Sequence, residues 1–181
     1  MRLVLAATGA SGALYLQRLL HYLDRTEHEL HIVFSAYAKQ VIHEELGELQ
    51  MPAGTVEHSD KSMNAPFASG STKFDAMVIV PCSMGTLGRI AHGISESLIL
   101  RAADVFLKER RKLILVPRET PWNLIHTRNA LTVIEAGAIL LPASPSFYSR
   151  PTNLTELADT VVWRILDQLG LDAPNACRWK E

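Results

Sequence analysis

The sequence is poor in cysteine: among its 181 residues it has only Cys82 and Cys177. These two residues form neither a metal-ligand spacing nor the framework of a disulfide-rich fold. The sequence also has no large excess of positive or negative charge, since the formal net charge is −1 at pH 7. The chain therefore offers no basic field for a nucleic acid and no polybasic patch for anionic lipid. We expect neither as a partner, and an anionic ligand must be held by local groups.

Long apolar runs are absent as well. The run Leu3 to Ala7 is too short for the apolar part of a signal peptide, and it leads into glycines rather than into a cleavage site. No other run approaches the roughly 20 apolar residues that span a bilayer. These absences predict a cytoplasmic protein without a membrane partner. Because 48% of the residues are hydrophobic, one sizeable core can form, which predicts a single domain over residues 1–181.

Short apolar runs alternate with amphipathic stretches, a pattern typical of an α/β fold in which helices surround a mostly parallel sheet. Strands are predicted at Leu3 to Ala7, Leu30 to Phe34, Ala76 to Val80, Leu113 to Val116 and Ala138 to Leu141. Helices are predicted at Ala13 to Leu23, Ala36 to Leu46, Thr86 to His92, Leu98 to Arg110, Asn123 to Glu135 and Thr155 to Leu169. Thr155 is the expected N-cap of the last helix, and Gly170 its stop.

Three stretches break this rhythm. Residues 47–73 carry two prolines and a Ser-Gly-Ser sequence with weak periodicity, and we interpret them as a functional loop region. Residues 142–153 contain three prolines, and residues 171–181 form a tail. A tail that carries Trp179 is expected to dock on its own or another subunit.

The turn Thr8 to Gly12 follows the first strand and opens the first helix, where free N–H groups and the helix dipole favour a phosphate. The spacing is not GxGxxG, so a dinucleotide is not indicated, and a tight turn without any ligand explains the glycines equally well. Ser35, after the second strand, either caps a helix or donates to a ligand, and capping is favoured by its spacing.

Polar residues also follow the third and fourth strands. Pro81 to Thr86 and Arg118 to Pro121 both lie at the carboxyl edge of the sheet, where open α/β sheets bind ligands. Ser83 and Thr86 are plausible ligand donors, whereas Cys82 has no neighbouring base and is interpreted as a small buried hydrophobe.

A third polar group shares one face of a predicted helix. Arg101, Asp104 and Lys108 are spaced three and four residues apart, so Asp104 can pair with Lys108. A solvated charged face explains the same spacing.

The motifs GASGA, PCSM, GISESLILRAADVFLKERRKLILVPRETP, PSFYSRP and the closing RW occur in the order found in UbiX-type flavin prenyltransferases, and the sequence resembles that family over nearly its whole length. The resemblance implies a three-layer, flavodoxin-like (Rossmann-like) doubly wound parallel sheet that binds FMN without a metal. It also implies transfer of a dimethylallyl group from dimethylallyl monophosphate to N5 and C6 of reduced FMN. The product, prenylated FMN, would serve a UbiD-type decarboxylase.

The resemblance also implies site residues. For FMN these are Gly9, Ala10, Ser11, Ser35, Ser83, Met84, Gly85, Thr86 and Arg118, with the FMN phosphate near Gly9 to Ser11. For the prenyl phosphate they are Lys108, Arg118, Glu119, Tyr148 and Arg164, and the catalytic set is Glu119, Lys108, Tyr148, Arg164 and Glu45. Arg101 and Trp179 match further site or interface positions. Family members form dodecamers with shared sites, which implies that residues 171–181 dock at a subunit interface.

The sequence departs from the family pattern at Gly85, where many relatives have Lys. Two other functions remain open. One is an accessory flavin-binding subunit of an aromatic-acid decarboxylase. The other is a flavin-dependent cysteine decarboxylase, which is disfavoured because Met63-Asn64 lacks the preceding Pro and the following Met-Trp of that group's motif.

Overall fold

The computed structural model of the chain describes residues 1–23, 28–174 and 176–180. Its centre is a six-stranded sheet in the order β3-β2-β1-β4-β5-β6, in which every neighbouring pair is parallel. The strands are β1 Arg2–Ala7, β2 Glu29–Phe34, β3 Val56–Ser59, β4 Ala76–Cys82, β5 Lys112–Pro117 and β6 Ile139–Leu140. This order confirms the predicted doubly wound parallel sheet.

Six α-helices cover the two faces of the sheet. They are α1 Ala13–Leu23, α2 Ala36–Leu46, α3 Met84–Ala91, α4 Leu98–Lys108, α5 Leu124–Glu135 and α6 Leu154–Leu169. Residues of α1, α2 and α6 pack in one apolar core, and residues of α3, α4 and α5 pack in a second one. No helix among the described residues is long and apolar enough to cross a membrane.

The alternation of strand side chains explains the two cores. In β1, Leu3 and Leu5 face the core of α1 and α6, whereas Val4 and Ala6 face the core of α3 and α4. Both sets are fully buried, as expected for the central strands of a parallel sheet. The strand order reverses between β1 and β4, so the loops that leave these strands open a crevice at the carboxyl edge.

The interpretation of residues 47–73 as a loop is incomplete, because this stretch contains β3 and a short 3-10 helix, Pro66–Ala68. β3 is an edge strand whose residues are mostly exposed, so its sequence Val-Glu-His-Ser lacks the apolar run of a central strand. This strand forms because its backbone pairs with β2. In this pairing His31 lies opposite Val56, and Phe34 lies opposite Ser59.

Two helices begin earlier than predicted because the capping residue lies further upstream, whereas α5 begins one residue later, at Leu124, because Asn123 is its cap. Asn153, not Thr155, caps α6: its side chain accepts from the N–H of Glu156 at 2.9 Å. Ser83 caps α3 in the same way, so this helix begins at Met84, two residues before the predicted start. The predicted stop at Gly170 is confirmed, with a left-handed φ of 77°.

A pair of stacked histidines joins β3 to β2. Nδ1 of His31 lies 2.8 Å from Nε2 of His58, and the two rings are 5.0 Å apart with an interplanar angle of 18°. His31 also bonds through Nε2 to Glu29, whose pKa is lowered to about 2 by hydrogen bonds from Arg2 and His31. Burial, together with the neighbouring His31, lowers the pKa of His58. The folded protein therefore favours the neutral form of His58.

This preference predicts a pH dependence of stability. Because the pKa of His58 is lower in the folded than in the unfolded chain, its contribution is complete above the unfolded value of about 6.5 and is lost as the pH falls below it. We expect His58→Gln to reduce the loss of unfolding free energy between pH 7.5 and pH 5, measured by denaturant titration. The exposed His43→Gln serves as a control that retains the wild-type loss. An unchanged pH dependence in His58→Gln would contradict the prediction.

Candidate functional site at the carboxyl edge

The two loops at the switch point are joined by Thr8, which is 2% exposed. Its N–H and its hydroxyl both donate to the carbonyl oxygen of Pro81 at 3.1 Å. Its Oγ1 accepts from the N–H of Ser83 at 2.7 Å. One buried residue thus sets the position of the loop after β4 relative to the loop after β1.

The hydroxyl groups that the sequence indicated as donors lie on these loops. Oγ of Ser83 accepts from the N–H of Thr86 and lies 3.0 Å from its Oγ1. Ser35 caps α2 through the N–H of Ala38, and its own N–H donates to the carbonyl oxygen of Ala7. Capping by Ser35 is therefore confirmed. The N-termini of α2 and α3 lie at the same edge of the sheet as the turn after β1.

The N-terminus of α1 is occupied by a carboxylate of the protein itself. Glu45, near the end of α2, accepts from the N–H of Gly12 at 2.9 Å and from that of Ala13 at 2.8 Å. Burial by itself raises the pKa of Glu45, but hydrogen bonds from Ser11, Gly12 and Ala13 outweigh it, and the net pKa is lowered. Glu45 is therefore an anion beside the first turn.

A glycine in this turn is explained by packing. A Cβ atom at Gly9 would lie 2.5 Å from Cβ of Tyr37 on α2, closer than real contacts allow. Any larger residue at this position would push α2 away from the turn, so the glycine by itself does not indicate a ligand.

Arg118 connects the end of β5 to the same turn. Its Nε donates to the carbonyl oxygen of Ser11 at 3.1 Å, and its N–H donates to that of Cys82 at 3.4 Å. The guanidinium thus faces the turn, and no ion pair between Arg118 and Glu119 is among those of the described residues. Sequence reasoning missed Tyr15. Burial raises the pKa of its hydroxyl, and the positive charge of Arg118 partly offsets that rise.

Glu119 lies at the mouth of a cavity of about 580 Å³ that also has Arg118 and Trp122 in its wall. Its carboxylate accepts from the N–H of Thr120 at 3.1 Å, while its carbonyl oxygen accepts from Nε1 of Trp122. The carboxylate therefore stays available to a ligand in this cavity.

A second, smaller cavity lies further along the edge and has a volume of about 200 Å³. Its wall combines Thr8, Ser35 and Thr86 with Arg89. Arg89 was not indicated by the sequence, since a single arginine near the end of a helix resembles an ordinary exposed charge.

Cys82 is fully buried, and burial raises the pKa of its thiol to about 12. A thiol with so high a pKa is not a nucleophile at neutral pH. The interpretation of Cys82 as a small buried hydrophobe is confirmed.

Lys108 lies far from Glu119 within one chain. α4 ends at Lys108 just before β5 begins, whereas Glu119 follows the end of β5. Six strand residues separate the two edges by about 20 Å. The predicted pair of Asp104 and Lys108 is wrong, because Asp104 bonds to Arg101 at 2.8 Å and Lys108 turns to its neighbour Glu109.

Arg164 does not line the Glu119 cavity. It lies about 15 Å along α6 from the helix start and bonds to Asp167 at 2.7 Å. It lines a cavity of about 270 Å³ beside β6, which shares Pro142 and Ser144 with the wall of the Glu119 cavity.

The tail contacts the chain to which it belongs. The rings of Tyr148 and Trp179 meet edge to face at 5.5 Å, and the Tyr148 hydroxyl donates to the carbonyl oxygen of Cys177 at 3.4 Å. Arg178 bonds to Asp167 at 2.8 Å. Tyr148 and Trp179 are nevertheless exposed, at 47% and 68%, so part of each ring remains open to solvent.

An all-parallel, doubly wound sheet with hydroxyl-bearing loops at its switch point defines a mononucleotide-binding α/β protein of the flavodoxin-like class. Comparison with known proteins narrows this class. The family described as Flavoprotein matches residues 1–165. The flavin prenyltransferase UbiX of Methanocaldococcus jannaschii is 46% identical over 99% of this chain and 98% of its own.

Solved structures agree with the sequence comparison. A dodecameric FMN-dependent UbiX-like decarboxylase from Escherichia coli O157:H7 is similar with a TM-score of 0.96 and 40% identity, and the match covers 100% of both chains. AnUbiX, solved with FMN and dimethylallyl pyrophosphate, has a TM-score of 0.93 and 42% identity over 99% of this chain and 97% of its own. The chain therefore belongs to the Flavoprotein family and, within it, to the UbiX-type flavin prenyltransferases.

The buried hydroxyl of Thr8 yields a stability prediction. Thr8→Val preserves shape but leaves the Ser83 N–H without its acceptor, so we expect a loss of about 1–3 kcal/mol of unfolding free energy. Denaturant titration measures it. The exposed Thr132→Val is the matched control and should stay within about 0.5 kcal/mol of wild type. Equal effects of the two substitutions would show that the Thr8 hydroxyl does not hold the loops together.

Proposed function

We propose that this protein transfers a dimethylallyl group from dimethylallyl monophosphate to N5 and C6 of reduced FMN, giving prenylated FMN. The observation that carries the proposal is the full-length similarity to AnUbiX, which has the same fold and was solved with FMN and dimethylallyl pyrophosphate. The two alternatives, an accessory flavin subunit and a cysteine decarboxylase, have less support, because the curated relatives at 42–47% identity are named as flavin prenyltransferases or UbiX-like ones.

The donors at the carboxyl edge fit FMN. Hydroxyl groups, backbone N–H groups and one guanidinium converge on the switch-point crevice, a set suited to a polar chain that ends in a phosphate. The residues proposed to hold FMN are Gly9, Ala10, Ser11, Ser35, Ser83, Met84, Gly85, Thr86 and Arg118. When bound in its reduced form, FMN supplies the two nucleophilic centres, N5 and C6, that receive the prenyl group.

The protein's part in the first step is to stabilise the leaving phosphate. The allylic C–O bond breaks with its electron pair on the phosphate, and positive charge with hydroxyl donors lowers the energy of that charge separation. Lys108, Arg164 and the Tyr148 hydroxyl are proposed for this role, with Arg118 at the same phosphate. The exposed aromatic faces of Tyr148 and Trp179 can stabilise the allyl cation.

Two carboxylates serve the reacting centre. Glu119 is proposed as the proton relay, because it borders the 580 Å³ cavity and has only the Thr120 N–H among its described side-chain hydrogen bonds. It would give a proton to the remaining double bond of the prenyl group, and it would take back the ring proton that C6 loses when the second bond to the prenyl group forms. Glu45, held ionised beside Ser11, is proposed to stabilise positive charge on the prenyl group during transfer.

The site is proposed to be completed by other copies of the chain. Lys108 and Glu119 lie at opposite edges of one sheet, about 20 Å apart, so a single chain does not bring them to one substrate. The Escherichia coli relative is dodecameric. We propose a homo-oligomer of the same size, with Arg101 and residues 171–181 at subunit contacts and prenylated FMN passing to a UbiD-type decarboxylase.

The proposed activity and the relay role are tested together. Incubated without oxygen with reduced FMN and dimethylallyl monophosphate, the wild-type protein should yield a flavin heavier by one dimethylallyl unit. In a single turnover, Glu119→Gln should form this ring-closed product about 100-fold more slowly or worse while still binding FMN. Mass spectrometry of the flavin measures both. The exposed Glu48→Gln should behave like wild type, and product formation by Glu119→Gln at the wild-type rate would exclude the relay role.

Shared sites predict complementation between inactive variants. Lys108→Ala and Glu119→Gln should each be inactive alone. After the two are unfolded and refolded together in equal amounts, random mixing should restore about a quarter of the wild-type sites. Product formed per subunit measures this recovery. A mixture as inactive as its components, with hetero-oligomers confirmed by native mass spectrometry, would show that each chain needs both residues for its own site.

A further inference from the structure

The cavity of about 200 Å³ on the α3 and α4 side of the edge has a composition suited to an anion. Four hydroxyl-bearing residues line it, Thr8, Ser35, Thr86 and Ser97, and it lies beside the N-termini of α2 and α3. A volume of this size is below the roughly 300 Å³ at which pockets take whole small-molecule ligands, so it fits one end of a larger molecule.

Arg89 is the cation of this cavity. Its only described ion pair is with Glu96, at 3.8 Å, and that carboxylate is 65% exposed and free to turn to solvent. The guanidinium lies back along α3 toward Gly85: Nη2 is 3.9 Å from where a Cβ at that glycine would be. The guanidinium therefore lies beside the first turn of α3, within ordinary contact distance of position 85.

The second acidic residue of the cavity is already engaged. Oδ1 of Asp60 accepts from the N–H of Ile99 at 2.9 Å, and its carbonyl oxygen accepts from that of Leu98. The negative charge of Asp60 therefore stabilises the N-terminus of α4. Arg89 is left to neutralise a ligand.

The turn after β1 already carries both a carboxylate and a guanidinium, those of Glu45 and Arg118. Glu45 uses the N–H groups of Gly12 and Ala13, so a phosphate placed at the N-terminus of α1 would lack those donors and would meet a carboxylate. The N-termini of α2 and α3 carry no such side-chain carboxylate among the described contacts; their caps are the hydroxyls of Ser35 and Ser83.

We infer that Arg89 binds the phosphate of FMN in this cavity, together with the hydroxyls of Ser35 and Thr86. This position is on the α2 and α3 side of the turn after β1 and differs from the one near Gly9 to Ser11 that the resemblance implies. The inference rests on the proposed function. It places the ring end of the flavin toward the 580 Å³ cavity of Glu119, which has room for a ring system.

The experiment compares two oxidised flavins that differ only in the phosphate. FMN and riboflavin are titrated into wild type, Arg89→Ala and Arg89→Lys, and quenching of flavin fluorescence gives each dissociation constant. Because a charge-assisted contact is lost, Arg89→Ala should bind FMN about 10- to 100-fold more weakly and riboflavin within about twofold of wild type. Arg89→Lys should retain part of the FMN affinity, since it keeps the charge.

Arg110→Ala, which removes a positive charge from the exposed end of α4, is the matched control and should bind both flavins like wild type. Unchanged FMN affinity in Arg89→Ala, or an equal loss for riboflavin, would overturn the inference. A wild-type protein that binds neither flavin would contradict the proposed function itself, and the inference with it. Should Arg89→Ala fail to fold by circular dichroism, an Arg89→Lys variant with FMN affinity equal to wild type at low and high salt would also overturn it.

Discussion

The buried hydroxyl of Thr8 is the contact on which the edge of the sheet depends. It donates to the carbonyl oxygen of Pro81 and accepts from the N–H of Ser83, so one side chain satisfies two backbone groups on the neighbouring loop. Leaving such groups unsatisfied in a buried place is costly, which makes the relative position of the two loops well defined. The N-terminus of α3, and with it Ser83, Thr86 and Arg89, is positioned by this contact.

Charges of both signs lie at this edge. Glu45 stays ionised at the first turn of α1, Arg118 bonds to the neighbouring carbonyl oxygen of Ser11, and Arg89 lines the cavity on the α3 side. Lys108, at the far end of α4, and Arg164, on α6, do not line the Glu119 cavity of their own chain.

Local sequence patterns predict most of the strands and helices. The apolar runs at β1, β2, β4 and β5 are continuous because these strands are covered on both faces, so they are recognisable without a structure. β3 was missed because an edge strand buries little and owes its order to β2. Helix starts were displaced by one or two residues wherever Asn153 or Ser83 capped the helix upstream.

The sequence by itself determined the doubly wound parallel fold, the three polar loops that follow its strands and, through its motifs, the family. Only the tertiary structure decided which polar groups meet. That Glu45 reaches the N-terminus of α1, that Arg118 turns to Ser11 rather than to Glu119, and that Arg89 faces a cavity with Ser35 all depend on contacts between residues distant in the chain. Local sequence preferences do not predict such contacts, because the packing of whole helices against the sheet determines where each side chain lies.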